Sequence, residues 1–220
     1  MRPKIKICGI TSAGDAVLAE RSGADYIGLV CEIEYSPRCI RREAAAAITK
    51  LSQVPVILLI DKPASEVVKI ALDVRPHGLQ IIGPLTLAEI ATVKRLTACS
   101  LWHPIRIPVR AHQSLTVSDI VQHMEALKSA GVDVIILDTL VEGYKGGTGK
   151  TCDWNLAGQI VAASPLPVFL AGGITPENAA QSIALVHPAG IDVSSGVEIQ
   201  PGIKHSEKIE QLVSIVHSTP

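Results

Sequence analysis

Three clusters of small residues crowd the last third of the chain, each directly after an apolar run: Gly146-Gly147-Thr148-Gly149, Gly172-Gly173 and Ser194-Ser195-Gly196. Glycine lets backbone N–H groups approach an anion with no Cβ in the way, so clusters of this kind at successive strand ends can aim several donors at one phosphate. A single cluster is an ordinary turn, whereas three in succession point to a phosphate cradle. Two titratable residues occupy comparable positions. Cys8 ends the run Lys4–Cys8 just before Gly9-Ile10-Thr11, and Asp138 ends the run Val132–Asp138. A thiol and a carboxyl at one rim can move protons to and from a bound molecule. Each also has a plainer role, the cysteine as a small apolar filler and the aspartate as a loop hydrogen-bond acceptor.

For these groups to meet, the chain has to bring many strand ends to one face. β-branched apolar runs alternate with helical stretches from end to end, the pattern of successive βα units. Eight strands are expected: Lys4–Cys8, Tyr26–Val30, Val54–Ile60, Gly78–Ile82, Leu101–Val109, Val132–Asp138, Pro167–Ala171 and Gly190–Ser194. Helices are expected over Ala13–Ser22, Arg41–Leu51, Ser65–Leu72, Leu85–Arg95, Ser118–Ala130, Trp154–Ala163, Pro176–Ile183 and Ser206–Val216, the last capped by Ser206. Runs such as Val54–Ile60 are apolar on both faces, as in a parallel sheet covered on both sides. An open doubly wound sheet would have similar strands, but eight units and the late small-residue loops favour a closed (β/α)8 TIM barrel with its site at the C-terminal strand ends. All 220 residues are read as one domain, because no linker-like stretch interrupts the pattern.

Composition narrows the partners. With 20 basic and 21 acidic residues there is no basic stripe for nucleic acid, so a substrate anion must be held by local donors. Met1-Arg2-Pro3-Lys4 lacks the apolar core of a secretion signal, and no apolar run approaches membrane-span length, which predicts a cytoplasmic protein without a membrane partner. Cys8, Cys31, Cys39, Cys99 and Cys152 show no zinc-type spacing, and their odd number argues against a disulfide framework. The seven histidines are scattered, so no metal site is expected. Aromatic residues make up only 3 %, leaving aliphatic and backbone walls to hold any aromatic ligand.

Several motifs together resemble the phosphoribosylanthranilate isomerases of tryptophan biosynthesis. They are Lys6-Ile7-Cys8-Gly9-Ile10-Thr11, Ser36-Pro37-Arg38, Leu137-Asp138-Thr139 with Gly146 to Trp154, Leu170 to Asn178, and Asp192 to Glu198 with Pro201-Gly202. The resemblance spans nearly the whole chain and implies a (β/α)8 barrel. It also implies a cofactor-free Amadori rearrangement of an N-ribosylated anthranilate 5-phosphate to the open-chain 1-deoxyribulose isomer. An acid protonates the furanose ring oxygen and opens it to an iminium, and a base then takes the C2 proton. By resemblance, Asp138 is the acid, Cys8 the base and Arg38 the partner of the anthranilate carboxylate. Asp192 faces the interior, either toward sugar hydroxyls or in a structural hydrogen bond. Gly147, Gly172, Gly173, Ser195 and Gly196 are the phosphate donors. Desolvation would raise Asp138, while a cation would lower Cys8, Lys6 being the nearest in sequence. Lys6 is equally read as a structural ion-pair partner.

The chain departs from the family on one side of the site. Ile82 stands where a histidine usually ends the fourth strand, Asp61 follows Ile60 where asparagine is usual, His205 replaces an aspartate, and the loop Cys31–Tyr35 is acidic. His77 or His103 could supply a replacement imidazole, but neither sits at the required strand-end position. The same residues also fit a paralogous phosphosugar-amine isomerase with a different aglycone, or a non-catalytic phosphate-binding regulatory barrel. Barrels of this type occur as monomers or homodimers, and both states stay open.

Overall fold

The computed structural model describes residues 2–108, 116–140 and 151–219. Its strands are β1 (Lys4–Ile7), β2 (Tyr26–Cys31), β3 (Cys39–Ile40), β4 (Val56–Ile60), β5 (Gly78–Ile81), β6 (Ser100–Pro108), β7 (Val134–Leu140), β8 (Val168–Ala171), β9 (Gly190–Val193), β10 (Glu198–Gln200) and β11 (Ile203–Lys204). The helices are α1 (Ala13–Arg21), α2 (Arg42–Leu51), α3 (Ala64–Val74), α4 (Leu87–Thr97), α5 (Val117–Ser129), α6 (Trp154–Ala163), α7 (Pro176–Val186) and α8 (Ser206–Ser218). The eight expected strands correspond to β1, β2 and β4 to β9. They pair in parallel in the order β1-β9-β8-β7-β6-β5-β4-β2, and the pairing of β1 with β2 closes the barrel. The two-residue β3 extends β2, and β10 and β11 form a separate antiparallel hairpin.

Alternation along each strand sorts the side chains into two sets. One set, including Ile5, Ile7, Leu29, Leu58, Ile135 and Ile191, packs outward against the helices. The inward set stacks in layers. At the bottom Tyr26, Trp102 and Phe169 pack edge-on or tilted, with ring centroids 4.8 to 5.9 Å apart. Half of the chain's few aromatic residues therefore form one plug, with Ile57 and Ile136 beside it. Gly190 makes room for the Phe169 ring, which any Cβ there would overlap.

The next layer up is polar. Lys6 Nζ, with its side chain fully buried, donates to both carboxylate oxygens of Asp192 at 2.9 Å and to Gln80 Oε1 at 3.0 Å. Lys6 and Asp192 are direct cross-strand partners of β1 and β9. The ammonium also stands 6.0 Å from the Trp102 ring centroid, above the plug.

Helix boundaries differ from expectation where capping chemistry decides them. The fourth helix starts after Thr86 rather than at Leu85, because Thr86 and Glu89 form a capping box: Glu89 Oε2 accepts from Thr86 N at 2.8 Å. The seventh opens as read, with Pro176 first, and Asn178 Oδ1 accepts from Thr175 N at 2.9 Å. Ser206 is not the cap of the last helix. It is already helical, and His205 takes the N-cap position without a side-chain hydrogen bond.

Replacing Lys6 by methionine leaves a buried carboxylate unpaired. We expect Lys6→Met to lower unfolding stability by about 3–5 kcal/mol in urea titrations. Lys6→Met/Asp192→Leu should recover most of that loss, since it replaces the pair with apolar volume.

Candidate active site

Above the polar layer the strands open into a cavity of about 620 Å³, lined from almost every strand. Cys8 reaches it from the end of β1, Asp138 from β7, Asp192 from β9 and Arg38 from the loop between β2 and β3. Gly172 and Gly173 enter it after β8, and Ser195 and Gly196 after β9. Of the residues singled out from sequence, these eight line one cavity. Gly147 lies outside the described residues.

The glycine-rich side is shaped by close approach. Gly172 sits at φ +87°, and a Cβ there would overlap the Thr139 side chain. On Gly196 a Cβ would overlap the carbonyl of Ile174. No described hydrogen bond uses the N–H groups of Gly173, Ser195 or Gly196. Ser194, also in the cavity wall, carries a buried Oγ with no partner among the described residues. These are donors on two adjacent strand ends around one concavity, an arrangement suited to an anion.

The opposite wall is aliphatic. Cys8, Val30, Ile33 and Leu59 form a buried cluster with Ile82 packed against it. The acidic loop does not add charge to this wall through Glu32, which binds Arg42 at 3.2 Å. Tyr35 lines the cavity and donates its hydroxyl to Asp61 at 2.5 Å. His103 lies apart from the cavity. It packs 6.4 Å from His123, and burial followed by that neighbour pushes it down to about 4.

The two reacting candidates sit in different fields. Burial holds the Asp138 carboxyl above its ordinary range, and nearby Asp192 adds to this. The amide of Thr139, donating at 2.8 Å, and the charges of Arg106 and Lys6 oppose it. The Cys8 thiol is also pushed up. Burial outweighs the opposing pull of Lys6 and Lys204. The expected lowering of the thiol by Lys6 is thus overridden by burial, and Asp192, the partner of Lys6, adds to the upward push. Gly28 leaves the thiol its space, since a Cβ there would stand 2.8 Å from Sγ.

Arg38 is held by a residue not singled out from sequence. Its Nε and Nη2 donate to Glu198 Oε1 and Oε2 at 2.8 and 2.6 Å, a bidentate pair. Lys204, fully buried at its side chain, donates to the same carboxylate at 2.8 Å and to the carbonyl of Cys8 at 2.5 Å. Glu198 and Lys204 belong to the hairpin β10–β11, whose pairing brings them opposite each other. The only sequence signal was a charged residue in each of two short motifs, with no sign of what they hold. Arg106, not singled out from sequence either, lines the cavity from β6.

Comparison with known proteins agrees with this geometry. The family model for N-(5'phosphoribosyl)anthranilate (PRA) isomerase matches residues 5–215. A curated N-(5'-phosphoribosyl)anthranilate isomerase from Pseudomonas syringae pv. tomato is 39% identical over 219 residues, covering 97% of each chain. Among solved structures, the enzyme from Thermus thermophilus superposes with TM-score 0.81 at 29% identity, covering 99% of this chain and 100% of that one. That from Pyrococcus furiosus gives 0.82 at 27% identity, covering 97% and 98%.

If the small-residue loops are an anion cradle, filling it has a measurable cost. We expect Gly196→Ala to abolish stabilisation by millimolar inorganic phosphate in thermal unfolding, and to lower stability by about 1–3 kcal/mol through overpacking. A phosphate-dependent shift that survives in this variant would refute the cradle.

A family model matched over residues 5–215 and relatives up to 39% identical over nearly the full chain place this chain in the N-(5'-phosphoribosyl)anthranilate isomerase family.

Proposed function

We propose that this chain converts N-(5'-phosphoribosyl)anthranilate to 1-(2-carboxyphenylamino)-1-deoxyribulose 5-phosphate with Asp138 as general acid and Cys8 as general base. The observation that carries this reading is the division of one cavity: anion donors at one side, an aliphatic wall at the other, and the two titratable groups between them. Gly172, Gly173, Ser195 and Gly196 hold the phosphate, the part of the substrate that does not react. Binding energy from that remote group positions the ribose between Cys8 and Asp138. The aliphatic wall of Val30, Ile33, Leu59 and Ile82 takes the face of the anthranilate ring.

Asp138, kept protonated by burial, gives its proton to the furanose ring oxygen as the C1–O bond breaks and the nitrogen lone pair forms the iminium. Cys8 then removes the proton from C2, and its electron pair neutralises the iminium to give the enolamine. Protonation at C1 and loss of the enol proton complete the ketone, so all atoms of the substrate are retained. No cofactor takes part in these steps. We place the reaction in the cytoplasm. Among the described residues no helix is long and apolar enough to cross a membrane.

Both groups titrate above their ordinary values, which fixes the form of the pH dependence. The productive form needs Asp138 protonated and Cys8 ionised. We expect a bell-shaped dependence of kcat/KM on pH, whose two limbs report these groups and lie above the ordinary carboxylate range. Asp138→Asn and Cys8→Ala should each lower kcat by about 10²–10⁴-fold. Asp138→Asn should also stabilise the fold at neutral pH. Its raised pKa means that ionisation costs the native state stability above the unfolded-state pKa, and asparagine removes that cost. Loss of substrate fluorescence with freshly prepared phosphoribosylanthranilate, and growth of a tryptophan auxotroph lacking the isomerase, test the activity itself. Binding of a reduced product analogue without turnover would instead favour a non-catalytic role.

A further inference from the structure

The polar layer beneath the cavity fixes the direction of one amide. Gln80 lies two residues before Ile82, as Lys6 lies two residues before Cys8, so alternation puts each pair on the inward face with the polar member below. Lys6 Nζ donates to Gln80 Oε1 at 3.0 Å and to both oxygens of Asp192 at 2.9 Å. An ammonium has donors only, so the amide has to turn its oxygen to Lys6 and its NH2 group away. Nε2 makes no hydrogen bond among the described residues. Gln80 is 5% exposed and lines the cavity, so the surface it keeps lies there.

The two partners of Lys6 therefore offer opposite things to a bound molecule. Gln80 presents N–H donors, while Asp192, which also lines the cavity, presents carboxylate oxygens. A donor and an acceptor held on one ammonium fit a hydroxyl group, which accepts one hydrogen bond and gives another. They also lean toward different reacting groups. Cys8 packs with Leu59 and with Ile82, the neighbour of Gln80 along the inward face. Asp192 stands on the other side, near enough to Asp138 to hold its proton more firmly. A hydroxyl seated between Gln80 and Asp192 thus lies under the carbon that must meet the thiol.

We propose that Gln80 is a further catalytic residue, whose Nε2 donates to the oxygen on C2 of the ribose while Asp192 accepts from the same hydroxyl, so that C2 is pinned with its hydrogen turned to Cys8. The amide is already oriented by Lys6 before substrate arrives, so no reorganisation is needed at the moment of proton transfer. When the C2 oxygen becomes a carbonyl, the N–H contact is kept and the contact to Asp192 is released with the enol proton. The inference rests on the isomerase reading above.

The test measures equilibrium binding of the reduced product analogue, which carries a C2 hydroxyl, against the same analogue lacking that hydroxyl. Gln80→Met keeps the length of the side chain and removes the donor, and Gln80→Glu keeps an oxygen for Lys6 while replacing the donor with an acceptor. We expect wild type to prefer the hydroxyl analogue by about tenfold and each variant by less than about twofold, the worth of one hydrogen bond. We also expect kcat on phosphoribosylanthranilate to fall in both variants by at least about tenfold. A preference that survives in the variants, its absence in wild type, or equal weakening of both analogues would overturn the proposal, the last showing Gln80 to be only a structural partner of Lys6. If wild type turns over no substrate, the isomerase reading fails, and a hydroxyl preference lost in the variants would still support this contact. Turnover by wild type with the preference unchanged in the variants would reject the contact alone.

Discussion

The buried ammonium of Lys6 is the interaction around which the barrel interior is arranged. It stands between an aromatic plug and an open cavity, bonded to Asp192 on the neighbouring strand and to Gln80 across the interior. A charge so deep persists only if its partners are fixed. That requirement locks the register of β1 against β9, and with it the height at which Cys8, two residues beyond Lys6, meets the rim. Below the pair the interior is filled by aromatic and aliphatic side chains, and above it the strand ends carry the loops of the cavity. The ion pair is therefore the floor of the site.

Above that floor the labour is divided by polarity. Backbone donors with no room for a Cβ face one side, and aliphatic side chains face the other. Asp138 and Cys8 stand between, both biased toward their protonated forms because burial outweighs the surrounding charges. For the carboxyl this bias favours the proposed role of acid. For the thiol it opposes the proposed role of base. The second buried network, Glu198 with Arg38 and Lys204, fixes where the thiol segment lies but does not lower its pKa enough to matter.

Much of this was legible along the chain. The eight strands follow from β-branched runs at βα spacing, and the closed barrel from their count. Cys8, Asp138, Gly172, Gly173, Ser195 and Gly196 stand out because strand ends and Cβ-free turns leave a local mark. A boundary failed where capping overrode hydrophobic pattern, at Thr86, while the last helix starts at Ser206 as expected but with His205, not Ser206, at its N-cap. The acidic loop before Arg38 looked like a threat to an anionic substrate, yet Glu32 turns away to Arg42.

The sequence by itself pointed to the fold, to the small-residue loops and to Cys8 and Asp138 at strand ends, because each depends on residue type at a local strand end. What only the tertiary structure decided is which charges are spent and which remain. Lys6 is committed to Asp192 and Arg38 to Glu198, while Arg106 lines the cavity and takes part in no ion pair among the described residues. The partners of the first two lie 186 and 160 residues away along the chain. Charge compensation at that range is set by closure of the barrel and pairing of a late hairpin, and no local pattern carries it.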